Sequence, residues 1–481
     1  MLTEAGLPVD LLTRGDLPRP RNGIVHLGLG AFFRAFGCVY IADAIAASGG
    51  DWGVVGISLR NPATRDALRP QNWAYTSVTL YPEQSEARVI DVLNDVLVAP
   101  EDPEAVLAAM TAPEIKIVSL TVTEKGYCHI PSTGALDTDH ADIAHDLSNP
   151  LPVSAIGFIV RALQRRRDAG SAPFTVLSCD NLPDNGRVVR GVVLEFARLI
   201  DPALADWIAD HGRFPATMVD RITPATTQDD IARVATLTGH YDAAPVLHEP
   251  FAQWVIEDDF VDNARPDLAA AGAEMVTSVT RHENMKLKML NGTHSALAYT
   301  GYLAGKETIA DTIADPAFAT YARVLWTEIL PAVTPPEGVN LEEYAGALLD
   351  RYANPSIRHL TWQIAMDGSQ KLPQRLLATL RCNLDNGRAS PALCTAVVAW
   401  MRYVCGTDEA GNKIDVRDPH AAKLLDLTSG LDDPADIVRS LLTFDAVFPA
   451  DLAARLEQPL IAAAREFWAK GAQETVEAFT E

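Results

Sequence analysis

The chain has 481 residues, 48% of them hydrophobic and 21% charged, with a formal net charge of −23. That length predicts more than one domain, and the composition is ordinary for a soluble globular protein. An acidic chain with no basic block lacks the surface that nucleic acid or an anionic membrane would need, so neither is expected as a partner.

Cys38, Cys128, Cys179, Cys382, Cys394 and Cys405 are scattered and form no CxxC pair. Reduced, buried thiols are expected, with no disulfide framework and no thiolate zinc site. The first twenty residues lack the layout of a signal peptide, and no apolar run reaches the ~20 residues of a spanning helix. A soluble cytoplasmic protein is the expectation.

Up to about residue 280, apolar runs alternate with helix-like segments. Strands are predicted at IVHLGLG (24–30), WGVVGISL (52–59), IKIVSLTVTE (115–124), FTVLSCDN (174–181) and PATMVDRI (215–222). Amphipathic stretches such as AIGFIVRALQRRRDAG and RVVRGVVLEFARLI lie between them. This order predicts an α/β domain with a parallel sheet covered by helices on both faces. Beyond a boundary near 275–285 the patterns turn helical, as in DPAFATYARVLWTEILPAV and PALCTAVVAWMRYVCG. Two domains are therefore expected, 1–280 and 281–481, the second mostly α-helical.

The first strand runs into Gly28 and Gly30. One glycine permits a tight turn and the next permits close approach of a pyrophosphate, but the third glycine of a dinucleotide turn is replaced by Phe33. An ordinary strand–helix turn has the same pattern. The second strand ends in Ser58, Arg60 and Asn61 without the acid that would accept from a ribose hydroxyl, and an arginine there could accommodate a 2′-phosphate.

A stronger signal is MKLKMLNGTHSALAYTGY. At ~100° per residue, Asn291 lies about 140° and His294 about 80° from Lys286, so the three share one broad face with Leu287 and Leu290. Polar groups on an apolar face need partners, and a buried lysine there would have a lowered pKa suited to general-base work. A solvated lysine beside a core histidine is the competing reading. SCDNLPDNG (178–186) follows a strand and could aim Asp180 and Asn181 into a ligand crevice, or be a turn; Asp220 ends another strand with the same two readings. Arg358, Lys371 and Arg375 are cations near helix ends, open to phosphate, carboxylate or helix C-cap partners or to plain solvation.

Together, HLGLGAF with Arg34, SLTVTEKGY (119–127), SCDNLPDNG, MVDRITP, EPFAQWVIEDDF (249–260), KMLNGTHSALAYTGY and TWQIAMDGSQKLPQRLL resemble the mannitol dehydrogenase family of polyol-specific long-chain dehydrogenases. The likeness runs in family order over nearly the whole chain. It implies an N-terminal Rossmann domain, a helical C-terminal domain with the site between them, and metal-independent hydride transfer between NAD, or NADP, and a secondary alcohol or ketone. It also implies Lys286 as catalytic base, Asn181 and Asn291 as oxyanion donors, and His294 as the substrate-positioning histidine. Gly28, Gly30, Phe32, Arg34, Arg60 and Asp220 are implied on the cofactor side, Asp220 beside the catalytic centre. No set of ligands for a zinc-dependent mechanism is found.

The TEKGYC and TWQIAMDGSQKLPQRLL versions look most like the fructuronate reductase, or mannonate oxidoreductase, branch. Fructuronate carries a carboxylate that fructose lacks, and Lys125 could pair with it; a surface lysine is the alternative. Arg358 and Lys371 are further substrate candidates. Where relatives commonly read FHRAHQ this chain reads FFRAFG, which places Phe33, Phe36 and Gly37 near the cofactor as expected modifiers of its packing. The expected partner is a small sugar acid or polyol, and the expected state a monomer. A mannitol, arabinitol or sorbitol dehydrogenase is the alternative, and a non-catalytic nucleotide-binding protein a further one.

Overall fold

The computed structural model describes residues 9–15, 18–130 and 133–480. It divides into two units, Met1–Thr280 and Arg281–Glu481.

In the first unit, five short strands form one parallel sheet: β1 (Asn22–Leu27), β2 (Gly53–Ser58), β3 (Leu93–Val98), β4 (Ile117–Leu120) and β5 (Thr175–Ser178). Their spatial order is β3-β2-β1-β4-β5. That is the strand order of a doubly wound dinucleotide fold, with its switch point between β1 and β4.

Period-two alternation explains why helices cover both faces. Ile24, Val54, Ile117 and Leu177 join Phe33, Phe36, Ile41 and Ala44 of helices α1 (Ala31–Ala35) and α2 (Gly37–Ser48) in one core. Val25, Val55, Val118 and Val176 join Phe158, Ile159 and Leu163 of α3 (Ala155–Asp168), and Val189, Val193 and Phe196 of α4 (Asn185–Ile200), in the other. The apolar run through α1 and α2, Ala31–Ser48, is long enough to match a membrane span by composition, yet half of it is buried inside this unit.

The fifth predicted strand is real but stands elsewhere. β6 (Thr217–Asp220) pairs antiparallel with β7 (Gln253–Glu257), which pairs parallel with β8 (Glu274–Val276). A third sheet, built from Tyr75–Leu80, Ser85–Ile90 and Val246–His248, has no counterpart in the sequence expectations. Its edge strand SEARVI (Ser85–Ile90) is exposed over five of six residues, so no apolar run marks it.

In the second unit no strand is found among the described residues, only isolated bridges. Helix α7 (Pro391–Val404) is buried nearly throughout and packs as the core element. The chain enters this unit along α5 (Thr280–Met285), a π-helical turn at Lys286–Gly292, and α6 (Thr293–Leu303). All six cysteines are free, four of them buried.

Candidate functional site

The glycine turn lies at the carboxyl end of central strand β1. Gly28 has φ +88°, and a Cβ there would stand 2.2 Å from the Thr121 carbonyl oxygen, so only glycine fits. Gly30 differs: the nearest atom to a Cβ would be the Gly28 oxygen at 3.8 Å, and the space beyond is open. A turn whose second glycine faces open space at the switch point suits the close approach of a pyrophosphate, and no side chain caps the first helical turn in its place.

A hydrogen-bonded chain fixes this turn. Thr121 Oγ1 donates to the Gly28 carbonyl at 3.0 Å, so at 2.9 Å it accepts from His26 Nε2–H; His26 Nδ1 then accepts from Ser119 at 2.9 Å. Burial lowers the His26 pKa to about 3, in keeping with a neutral ring.

Phe33 and Phe36 are 1% and 0% exposed, so they are core residues; Phe33 stacks on His26 at 3.4 Å between ring centroids. Arg34 is also turned inward. Its Nη1 donates to the Ala244 carbonyl at 2.5 Å and its guanidinium lies over Tyr75, which makes it a brace behind the turn. Phe32 is half-buried against Phe36. Arg60, at the end of β2, is exposed, while Asn61 beside it caps the Ala63 N–H.

The motif SCDNLPDNG resolves into two clamps around Asn181. Asp180 accepts from the Val122 N–H at 2.9 Å, the Thr123 N–H at 3.0 Å and the Tyr127 hydroxyl at 2.8 Å. Asn185, fully buried, donates to the carbonyls of Asp180 at 3.0 Å and Thr217 at 2.9 Å, tying the exit of β5 to β6. Next to it a Cβ on Gly186 would stand 2.5 Å from the Phe214 oxygen. Asn181 itself is exposed, at the carboxyl end of a parallel strand. Lys125 is exposed in the short helical turn Glu124–Tyr127 after β4. Asp220 is buried at the end of β6, paired in register with Gln253. The turn was legible in the sequence, but of the two residues expected to face a crevice Asp180 is turned inward; its clamping role with Tyr127 was not legible, because both lie in polar segments that read equally as loop.

In the second unit, Lys286 and His294 are buried (6% and 7% exposed) and Asn291 is half-buried on the same helical run. The uniform 100° spacing fails here, since Lys286–Gly292 is a π-helix. In a π-turn, residue i+5 stands one hydrogen-bonded turn above residue i, so Asn291 lies over Lys286 more closely than α-helical spacing allows. The widened turn is held from outside. Tyr352 hydroxyl donates to the Leu290 carbonyl at 2.8 Å and Trp326 Nε1 to that of Met289 at 3.4 Å. Gly292 abuts a second π-turn, Pro373–Leu377: a Cβ there would stand 2.8 Å from the Arg375 oxygen.

His294 lies edge-on to His359 with ring centroids 4.6 Å apart. Burial first, then the positive groups His359, Arg375, Arg351 and Lys371, hold its pKa well below the usual value. Lys371 is no surface cation: its ammonium donates to the carbonyls of Met366 at 2.6 Å and Ile364 at 3.3 Å, and burial lowers its pKa to about 8. Arg375 donates to Ser295 at 3.1 Å, beside His294. Arg358 is the exception. It is a surface cation whose Nη2 donates to Glu307 at 2.6 Å with both side chains about two-thirds exposed or more (70% and 65%). His359 was missed because a lone histidine in NPSIRH carries no pattern.

The family model described as "Mannitol dehydrogenase Rossmann domain" matches residues 22–270, and "Mannitol dehydrogenase C-terminal domain" matches 278–464. A D-mannonate oxidoreductase of Escherichia coli is 44% identical, over 99% of each chain. A mannitol 2-dehydrogenase of Phaeosphaeria nodorum is 39% identical, over 91% of this chain and 79% of its own. The solved ternary complex of Pseudomonas fluorescens mannitol 2-dehydrogenase with NAD and D-mannitol is 36% identical, with a TM-score of 0.85 over 100% of this chain and 99% of that one.

Proposed function

Because the chain belongs to the mannitol dehydrogenase family and is an NAD-dependent oxidoreductase acting on CH–OH groups, we propose that its own reaction is the interconversion of D-fructuronate and D-mannonate. The observation that carries this reading is the 44% identity to a D-mannonate oxidoreductase over 99% of both chains. Lys125, exposed on the turn after β4, supplies a cation for the substrate carboxylate.

NAD, when bound at Gly28, Gly30 and Phe32, supplies the hydride acceptor and, reduced, the hydride donor. The chain's own residues handle the proton and the oxygen. In the reductive direction the Lys286 ammonium gives its proton to the substrate oxygen; in the oxidative direction the neutral amine removes it. The side-chain amides of Asn181 and Asn291 donate to that oxygen as negative charge develops on it. His294, held neutral, offers a ring nitrogen to a substrate hydroxyl. Lys371 is a second substrate contact, and Asp220 stands on the cofactor side.

A mannitol-type ketose reduction is the second reading, favoured by the 39% identity to a mannitol 2-dehydrogenase. Oxidation of NADH and NADPH followed with fructuronate, tagaturonate and fructose separates the two. Turnover of fructuronate well above fructose is expected, and the reverse order rejects the first reading. Lys286→Ala is expected to lower kcat by roughly a hundredfold or more; full activity in that variant rejects the proton assignment.

A further inference from the structure

Lys125 lies between two backbone positions that non-glycine residues rarely adopt. Thr123 has φ +63° with ψ 165°, a region otherwise left to glycine, and Cys128 is left-handed at φ +49°. Such conformations persist only where neighbouring groups over-determine them. At Thr123 the constraint comes from one side chain, while Cys128 is tied by its N–H to the Lys125 carbonyl and by its own carbonyl to the Asp137 N–H. Asp180 Oδ1 accepts from the Thr123 N–H, and Oδ2 accepts from the Val122 N–H and the Tyr127 hydroxyl. Tyr127 is fully buried and also bonded to Ser178, at the end of β5. The backbone of Asp180 is held in turn by Asn185. Three donors from the loop after β4 therefore converge on the residue preceding Asn181.

We infer that Asp180 is a positioning residue: its carboxylate is the strut that locks the strained loop Thr121–Cys128 and the exit of β5 into one rigid piece, and so fixes where the Asn181 amide points. The inference rests on the proposed role of Asn181 and extends it to a residue that touches no reacting atom. Two carboxylate oxygens are required. With an amide at this position, one of its two sides becomes an NH2 group facing an N–H donor, so asparagine cannot stand in for aspartate.

The test pairs Asp180→Asn with Tyr127→Phe, which removes one donor of the three and leaves the fold's core ring in place. Hydrogen exchange of the peptide spanning residues 121–128, measured without substrate, is expected to quicken in both variants. Turnover of the preferred ketone with NADH is expected to fall roughly a hundredfold in Asp180→Asn and several-fold in Tyr127→Phe, with the NADH dissociation constant changed less than about threefold. With NADH deuterated at the transferred position, the isotope effect on kcat should rise in both; a fall in the fraction of folded enzyme would leave it unchanged.

Placed in an Asn181→Ala background, Asp180→Asn should cost less than about threefold further, because a strut acting through Asn181 has nothing left to position. An undiminished hundredfold loss in that background, or unchanged exchange of 121–128, overturns the inference. Wild-type turnover by Asn181→Ala alone removes Asn181 from the mechanism, and the positioning role with it, while quickened exchange would still register the strut; the two failures are thus distinct.

Discussion

Acidification is the perturbation that the buried histidines single out. In the first unit, His26 is paired on both ring nitrogens, and His248 donates from Nδ1 to the Glu249 carbonyl at 2.8 Å while accepting from Ser77 at 2.8 Å. Burial lowers these rings to about 3 and about 4. In the second unit, burial lowers His359 to about 4 and His294 well below its ordinary value. An unfolded histidine titrates near 6.5, so below that pH the unfolded chain takes up a proton that each native ring refuses. Stability is therefore lost as pH falls below about 6.5, by about 1.4 kcal/mol per pH unit and ring, down to the native pKa.

From about pH 6.5 to about pH 5 His26, His248 and His359 each withdraw roughly 2 kcal/mol, roughly 6 together, and His294 acts in the same direction. Glu328 opposes them. Burial raises it to about 7 even though the Ala392 and Leu393 N–H groups favour its ionised form. Its native form binds a proton that the unfolded chain refuses, which returns roughly 2 kcal/mol over the same interval. The net loss is roughly 4 kcal/mol in the first unit, while in the second Glu328 offsets His359 and the loss through His294 remains. Ordinary carboxylates titrate lower and contribute little above about pH 5. Urea unfolding at steps through this interval measures the slope, and His248→Gln should flatten it by about 1.4 kcal/mol per pH unit. A wild-type stability that moves by less than about 1 kcal/mol across the interval, or a His248→Gln slope equal to the wild-type one, would refute the reasoning.

The two turn glycines should fail in different ways. Gly28→Ala is expected to cost more than about 2 kcal/mol of stability, since its Cβ meets the Thr121 oxygen at positive φ. Gly30→Ala should leave urea unfolding unchanged yet weaken NADH binding, titrated by fluorescence, roughly tenfold or more; unaltered binding would remove Gly30 from the cofactor turn. Tyr352→Phe strands the Leu290 carbonyl and relaxes the π-turn, so a loss of about 1–3 kcal/mol and a kcat lowered roughly tenfold are expected, the NADH dissociation constant being the control. Lys125→Gly should lower kcat/KM for fructuronate roughly tenfold and leave fructose untouched. Equal losses on both substrates would end the carboxylate role.

The parallel sheet was legible because its strands are short apolar runs buried on two faces. Four of the five predicted strands, in the segments around Val25, Val55, Val118 and Val176, lie in it. PATMVDRI carries the same apolar signal and still pairs in another sheet, since a run of hydrophobic residues does not encode its partner. Ser85–Ile90 and Leu93–Val98 escaped because the first is solvent-facing and the second is interrupted by Asn94 and Asp95. On the lysine helix the residue types were readable but their spacing was not. A π-turn depends on carbonyls captured by Tyr352 and Trp326, far along the chain, and local periodicity cannot announce it. The bracing contacts of Arg34 with Ala244 and Tyr75 were hidden for a related reason, since both are long-range.

The stack of Phe33 on His26 has a consequence for how this turn can change over generations. A Cβ on Gly37 would stand 2.2 Å from the Phe33 ring, so a phenylalanine at 33 tolerates only glycine one helical turn later. The departures from FHRAHQ at these two positions are therefore a single event in physical terms. A Cβ at 37 excludes the Phe33 ring from this place, so glycine there is the condition for the phenylalanine. The same asymmetry runs backward, because Gly37→Gln would expel the ring from its stack, whereas Phe33→His meets no such barrier. Grafting this turn onto a relative succeeds only when Gly37 travels with Phe33.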